Sequence, residues 1–196
     1  MGQNEARSDA LTPAHTLTRE PTAQARFEAL LAAHARLLLK VAHTYCAQAE
    51  ERRDLMQEMS AQLWRAFPSY DEARPFTTWM YRIALNVAIS HVRRAAPRER
   101  HTAPLDAAVL ERVPALPAEE PDERVRTLRA FMERLEPLQR ALLLLYLEER
   151  SYREIAEVLG ITETNVATKL SRLKQRLREE LQAQGAGAEG GRNGSR

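Results

Sequence analysis

Residues 151–177 read SYREIAEVLGITETNVATKLSRLKQRL. Ser151, followed three residues on by Glu154, has the form of a capping box, where hydroxyl and carboxylate each take a backbone N–H at a helix start. Ile155, Ala156 and Leu159 then recur at helical spacing and are expected to point inward. Gly160 can enter the left-handed conformation that a sharp turn requires. Ile161 packs into the corner, and Thr162 is placed to cap a second helix. Two helices about a glycine turn, the second one capped, make a helix-turn-helix.

Stepping about 100° per residue along the second helix separates two faces. Val166, Leu170, Leu173 and Leu177 fall on one stripe, and Thr164, Thr168, Ser171, Arg172 and Gln175 fall on the opposite side. Small or hydrogen-bonding residues with one Arg suit close entry into a major groove, where side chains must reach base edges. Lys169 and Lys174 flank that face, where they would meet phosphates. From Thr162 to Arg178 five bases oppose one acid, a local charge of +4 that can neutralise a nucleic-acid backbone. Charge alone fits a solvated amphipathic helix equally well. The sequence of cap, glycine and cap favours the helix-turn-helix.

The rest of the chain is also helical in composition. Of seven glycines in 196 residues, only Gly160 lies between Gln3 and Gln184. Phosphate-cradling loops need glycine for close backbone approach, and all-β folds need it in tight turns, so both classes are disfavoured. The single Cys46 cannot form an internal disulfide or a cysteine-rich zinc site, and the five His have no metal-ligand spacing. No nucleophile–base constellation points to an enzyme, and neither a metal nor a cofactor is expected. Glu148/Glu149 and Glu179/Glu180 read as surface charge at helix ends. No apolar run reaches membrane-span length and the N-terminus carries no apolar signal, so a cytoplasmic setting without membrane insertion is expected.

Upstream, Phe27, Leu30, Leu31, Leu37, Leu38, Val41 and Tyr45 mark a helix pair or one long helix. Leu55, Met59, Leu63 and Phe67 mark a helix over 52–67, which Pro68 stops. After a polar loop at 69–75, a helix is expected over 77–94, with Met80, Ile83, Ala84, Val87 and Val92 inside. Five prolines within 97–124, and a charge of −5 over 106–123, make 97–124 an acidic linker. Further helices follow around 125–135, from Pro137, and over 152–159 and 163–181. The chain is therefore expected to be all-α, with two small helical domains at 23–96 and 125–182. A flexible arm (1–22) precedes them and a Gly-rich flexible tail (183–196) follows.

The 77–94 helix interleaves aromatics with bases: Phe76, Trp79, Tyr81, Arg82, His91, Arg93 and Arg94. Aromatic faces can stack unpaired bases while cations track the backbone; taken alone, the segment fits core packing of Phe76 and Trp79 as well. Trp79, Arg82, Asn86 and Ser90 share one edge of the helix, flanking its apolar stripe.

Three pieces together resemble a bacterial RNA polymerase sigma factor of the sigma-70 family, in its extracytoplasmic-function (ECF) group. They are DLMQEMSAQLWRAF (54–67), YDEARPFTTWMYRIALNVAISHVRR (70–94) and the helix-turn-helix, and the likeness spans about residues 25–182. The resemblance implies a region 2-like bundle and a region 4-like helix-turn-helix domain. It implies that Asp54, Gln57 and Glu58, which lie off the Leu55/Met59/Leu63 stripe, pair with basic residues of the clamp helices of polymerase β′. It places Tyr70, Trp79, Arg82, Asn86, Ser90, Arg93 and Arg94 at the −10 element, with the 69–75 loop capturing a flipped base. Thr164, Thr168, Lys169, Ser171, Arg172, Lys174 and Gln175 are placed at the −35 element, and the second domain on the β flap. Partners implied are polymerase core and promoter DNA, with room for an anti-sigma factor; the free protein is expected to be a monomer. Ala167, where many members carry Arg or Lys, and Ser90, where many carry Asp, imply an altered promoter preference. A conventional helix-turn-helix regulator would leave the 54–67 and 70–94 segments without a task.

Overall fold

The computed structural model describes residues 22–94 and 122–190, with side chains to Gln182. The expected arm lies outside these residues but for Thr22, and so does most of the linker. The described residues form eight α-helices: α1 (Ala23–Ala33), α2 (Ala35–Tyr45), α3 (Ala49–Ala66), α4 (Phe76–Arg94), α5 (Glu123–Glu133), α6 (Pro137–Leu147), α7 (Tyr152–Leu159) and α8 (Glu163–Gly190). Among them no helix is long and apolar enough to cross a membrane, and no cluster of His, Cys, Asp or Glu could hold a metal ion.

The first apolar run is two helices, parted at His34, whose backbone (φ −115°, ψ 14°) leaves the helical region. α2, α3 and α4 pack on one another, with α2 contributing Leu37, Leu38, Val41 and Tyr45 and α3 contributing Leu55, Met59 and Leu63. Each such side chain taken from water is worth about 1.5–3 kcal/mol. Phe27 and Leu31 dock α1 on this core. α3 ends at Pro68, which lies in a 3-10 turn (Phe67–Ser69).

The inner face of α4 differs from expectation. Its buried residues are Phe76, Thr78, Met80, Tyr81, Ala84, Leu85 and Ala88, whereas Ile83, Val87 and Val92 are only partly covered. The cause is a second contact: α4 packs against α2 and α3 and also against α6 and α7. Burial therefore wraps more than half of the helix.

The second domain is α5–α8 around Phe131, Leu135, Ala141–Leu145, Ile155, Val158, Val166, Leu170 and Leu173. Pro137 sits in the first turn of α6, where its missing N–H costs nothing. That helix ends in a Schellman motif: Glu149 N–H donates to the Tyr146 carbonyl at 3.0 Å and Arg150 N–H to the Leu145 carbonyl at 3.1 Å. Glu149 holds the left-handed position (φ 56°) that glycine usually fills. α8 continues past the expected end at Leu181 to Gly190, so much of the stretch read as a flexible tail is helical.

The two domains touch through polar groups. Glu148 accepts from Lys40 Nζ at 2.6 Å and from the Tyr81 hydroxyl at 3.3 Å. The Tyr45 hydroxyl donates to the Pro137 carbonyl at 2.7 Å. Arg140, 9% exposed, donates to the carbonyls of Glu133 and Thr44 and lies over the Tyr45 ring. Arg74 reaches Glu157 at 3.2 Å. Burial pushes both tyrosine hydroxyls far above their ordinary range.

Candidate nucleic-acid interface

The helix-turn-helix forms as its residues dictate. The Ser151 hydroxyl accepts from Glu154 N–H at 3.2 Å, and the Glu154 carboxylate accepts from Ser151 N–H at 2.9 Å. These bonds hold the Glu154 carboxyl below its ordinary range. Gly160 is left-handed (φ 66°), with nothing near the place a Cβ would take; its requirement is conformational, not steric. The Thr162 hydroxyl accepts from Asn165 N–H at 3.2 Å and starts α8. Inside α7 the structure buries Ile155 and adds Val158, while Ala156 and Leu159 are half-covered.

On α8 the two faces separate cleanly. Val166, Leu170 and Leu173 are buried and Leu177 packs beside them. Thr164, Thr168, Ser171, Arg172 and Gln175 are all exposed. Thr168 donates back to the Thr164 carbonyl at 2.9 Å, and Gln175 to the Glu179 carboxylate at 2.7 Å. Lys169 and Lys174 are half-buried on the flanks, with Lys174 Nζ 5.1 Å from the centre of the Tyr146 ring.

On α4, Arg82, Asn86, Ser90, Arg93 and Arg94 are exposed along one side. Trp79 is half-covered at the head of that edge. It stands 5.0 Å from Tyr70, 5.3 Å from Phe76 and 6.4 Å from Phe67, centre to centre. Phe27, Trp64 and His34 extend the cluster. Phe76 belongs to the core, and Trp79 lies between core and solvent. The adjoining loop is closed by Tyr70, whose hydroxyl donates to the Arg74 carbonyl at 2.7 Å, and by Asp71, which accepts from Ala73 N–H at 3.0 Å.

The acidic face of α3 is less open than its sequence suggests. Glu58 carries one oxygen on Arg94 Nη2 and the other 3.3 Å from His91 Nδ1, both in the last turn of α4. Burial raises its carboxyl, but Arg94 and then His91 outweigh burial and hold it below the ordinary range. Glu58 is thus engaged within the chain by the end of α4. Asp54 and Gln57 are half-covered.

Sequence reasoning also missed the polar groups between the domains. Glu148, read as surface charge, is engaged by Lys40 across the domains, and Glu180, read likewise, by Arg134 within the second domain. Nothing local marks Lys40, Tyr81 or Arg140 either, since their partners lie far away in the chain.

The comparisons with known proteins fit this arrangement. Sigma-70 region 2 matches residues 30–98, and sigma-70 region 4 matches residues 126–177. The chain belongs to the sigma-70 family of RNA polymerase sigma factors, in its ECF group. This sigma factor is 29% identical to the ECF sigma factor SigE of Mycolicibacterium smegmatis, over 84% of its own chain and 65% of SigE, so it spans just under two thirds of that relative. It is 28% identical to the sigma-H factor of Pseudomonas aeruginosa, over 80% of its chain and 86% of the relative. SigW of Bacillus subtilis is 28% identical, over 67% of the sigma factor and 75% of SigW. In fold it resembles CnrH, solved in complex with the cytosolic domain of CnrY (TM-score 0.59, 24% identity, covering 82% of the sigma factor and 90% of CnrH). It also resembles RpoE from Bartonella quintana, solved with the anti-sigma factor NepR (TM-score 0.61, 19% identity, covering 80% and 97%). Members of this family direct promoter recognition by RNA polymerase and are not enzymes.

Proposed function

We propose that the α8 face Thr164, Thr168, Ser171, Arg172 and Gln175 reads the −35 element as duplex, with Lys169 and Lys174 on phosphates. The observation that carries this is the exposure of those five residues opposite a buried stripe on a doubly capped helix-turn-helix. Small side chains let the helix approach the groove floor, and Arg172 alone on that face can fork onto a guanine.

The −10 element falls to the first domain. Arg82, Asn86, Ser90 and Arg93 line the exposed edge of α4, and Trp79 and Tyr70 offer ring faces beside the loop. Stacking on aromatic faces suits unpaired bases, whereas the α8 face has no ring. Asp54 and Gln57 are the polymerase-facing pair, on the β′ clamp helices, and the second domain meets the β flap. Two structural relatives were solved with protein partners, one of them a named anti-sigma factor, which supports an anti-sigma partner here.

In-vitro transcription with polymerase core on a genomic library, with start sites sequenced, tests the reading. The expected result is a set of starts sharing two upstream elements and dependent on added core. A chain that footprints duplex DNA alone and gives no new start with core would overturn it. Gel filtration with core separates the two cases independently.

A further inference from the structure

We propose that Tyr146 is a positioning residue for the −35 interface, whose ring seats Lys174 for a phosphate without neutralising it. The proposal rests on the reading that puts α8 in the groove of the −35 element and Lys174 on the DNA backbone. Lys174 Nζ stands 5.1 Å from the centre of the Tyr146 ring, within the range where the negative face of a ring attracts a cation. The two side chains come from different helices. Tyr146 lies in the last turn of α6, where its carbonyl accepts the Glu149 N–H at 3.0 Å, so the ring stands on a fixed piece of backbone. It is 36% exposed, and core packing does not account for its place. Phe131 of α5 also lies beneath a cation of α8, Arg176, but it is buried and belongs to the core first.

Nothing on α8 itself could hold Lys174. The side chains three and four positions away along the helix are Leu170, Ser171, Leu177 and Arg178, none of them acidic. Among the described residues no ion pair joins Lys174 to a carboxylate. Cations elsewhere are held differently: Lys40 by Glu148, Arg94 by Glu58 and Arg134 by Glu180. A carboxylate orients a cation and cancels its field. A ring orients it and leaves the charge whole, because a quadrupole carries no net charge. Phosphate binding requires that surviving charge, since affinity comes from displaced counterions. It also costs the rotamer freedom of a flexible four-carbon stem. The stem of Lys174 is already half-buried and its head already seated, so less freedom is lost when DNA arrives.

The experiment uses the full chain with polymerase core on a duplex promoter fragment from the start-site library. The temperature is kept low enough that permanganate shows the strands paired. It reads the dissociation constant over a range of salt, and the melting temperature of each free chain. K174A is expected to make the salt slope shallower by about one unit. Y146L is expected to weaken binding about two- to fivefold, the range of a surface cation–π contact, with the salt slope of the parent, because the lysine still reaches its phosphate but from a wider set of rotamers. Y146F keeps the ring and should bind like the parent. Y146L/K174A should be no weaker than K174A, since a residue acting only through another shows no further effect once that other is gone.

Unchanged affinity in Y146L, whatever its melting temperature, would make the ring a matter of fold alone and overturn the proposal. A loss in Y146F equal to that in Y146L would make the hydroxyl a DNA contact, and additive losses in the double variant would give Tyr146 a separate role; either result overturns it. R172A on the same fragment separates failure of the proposal from failure of the reading beneath it. If K174A were silent while R172A changed base preference, the −35 reading would stand and the seat on Tyr146 would fall. If both were silent, the −35 reading would fall and the proposal with it.

Discussion

The two faces proposed to meet nucleic acid are built from opposite materials. The α4 edge starts in a cluster of rings, Phe67, Tyr70, Phe76 and Trp79, continuous with the core of its domain. The α8 face carries hydroxyls, an amide and one guanidinium, and its domain's core is mainly aliphatic. Rings present large rigid surfaces that any unstacked base can cover, with little discrimination. Small polar groups offer little area but let a helix enter a groove where base edges are read one by one. The contrast predicts that damage to the first domain impairs opening on every promoter, while damage to the α8 face alters which promoters are chosen.

The largest effect should come from the core beneath α8. Leu170 is fully buried, and Leu170→Ala should cost about 2–5 kcal/mol. Thermal melting followed by amide exchange should show protection lost mainly in α6–α8. Equal loss in α2–α4 would show that the two domains unfold together and blunt the comparison. Next, Asn86→Ala should reduce strand opening, at about 1–3 kcal/mol for a lost base contact, and leave the −35 footprint intact. Normal permanganate reactivity in this variant would remove Asn86 from the opening machinery.

Of similar size but different character is the pair on α8. Arg172→Ala should relax preference at one −35 base pair, by about 1–3 kcal/mol. Lys169→Ala should weaken all sequences alike and reduce the salt slope by about one unit. A base-substitution scan of the −35 element distinguishes them; a uniform loss in Arg172→Ala would mean that α8 sits rotated in the groove. The smallest effect is expected at the cap. Ser151→Ala should cost about 1 kcal/mol. Because the folded-state carboxyl of Glu154 lies below its ordinary range, the box contributes stability above that range and loses it as pH falls through the lowered value. The difference in melting temperature between parent and variant should therefore shrink in acid.

How far the sequence could be read followed the range of each interaction. The capping box, the glycine turn and both faces of α8 depend on neighbours within about one turn, so spacing alone reveals them. The inner face of α4 did not follow from spacing, because Tyr81 and Leu85 are buried on a helix that also meets α6 and α7. Glu58 looked free because its partners, His91 and Arg94, belong to another helix. The length of α8 was underestimated because Gly185 and Gly187 counted as a stop; Ala183, Gln184, Ala186 and Ala188 around them are good helix formers.

The polar contact between the domains has a geometric consequence. α4 packs on α7, and α7 packs on α8. Two helix spacings of about 8–10 Å put the α8 axis on the order of 20 Å from that of α4. Promoter elements named for positions 10 and 35 are separated by about 25 steps of 3.4 Å, on the order of 85 Å along straight duplex. A molecule gripping both must hold α4 and α8 several times farther apart than they lie here. The 27 residues from 95 to 121 could span at most about 97 Å if fully extended, enough for that stretch. On the proposed reading, with one molecule holding both elements at once, the contacts of Glu148 with Lys40 and Tyr81 are the ones that have to part.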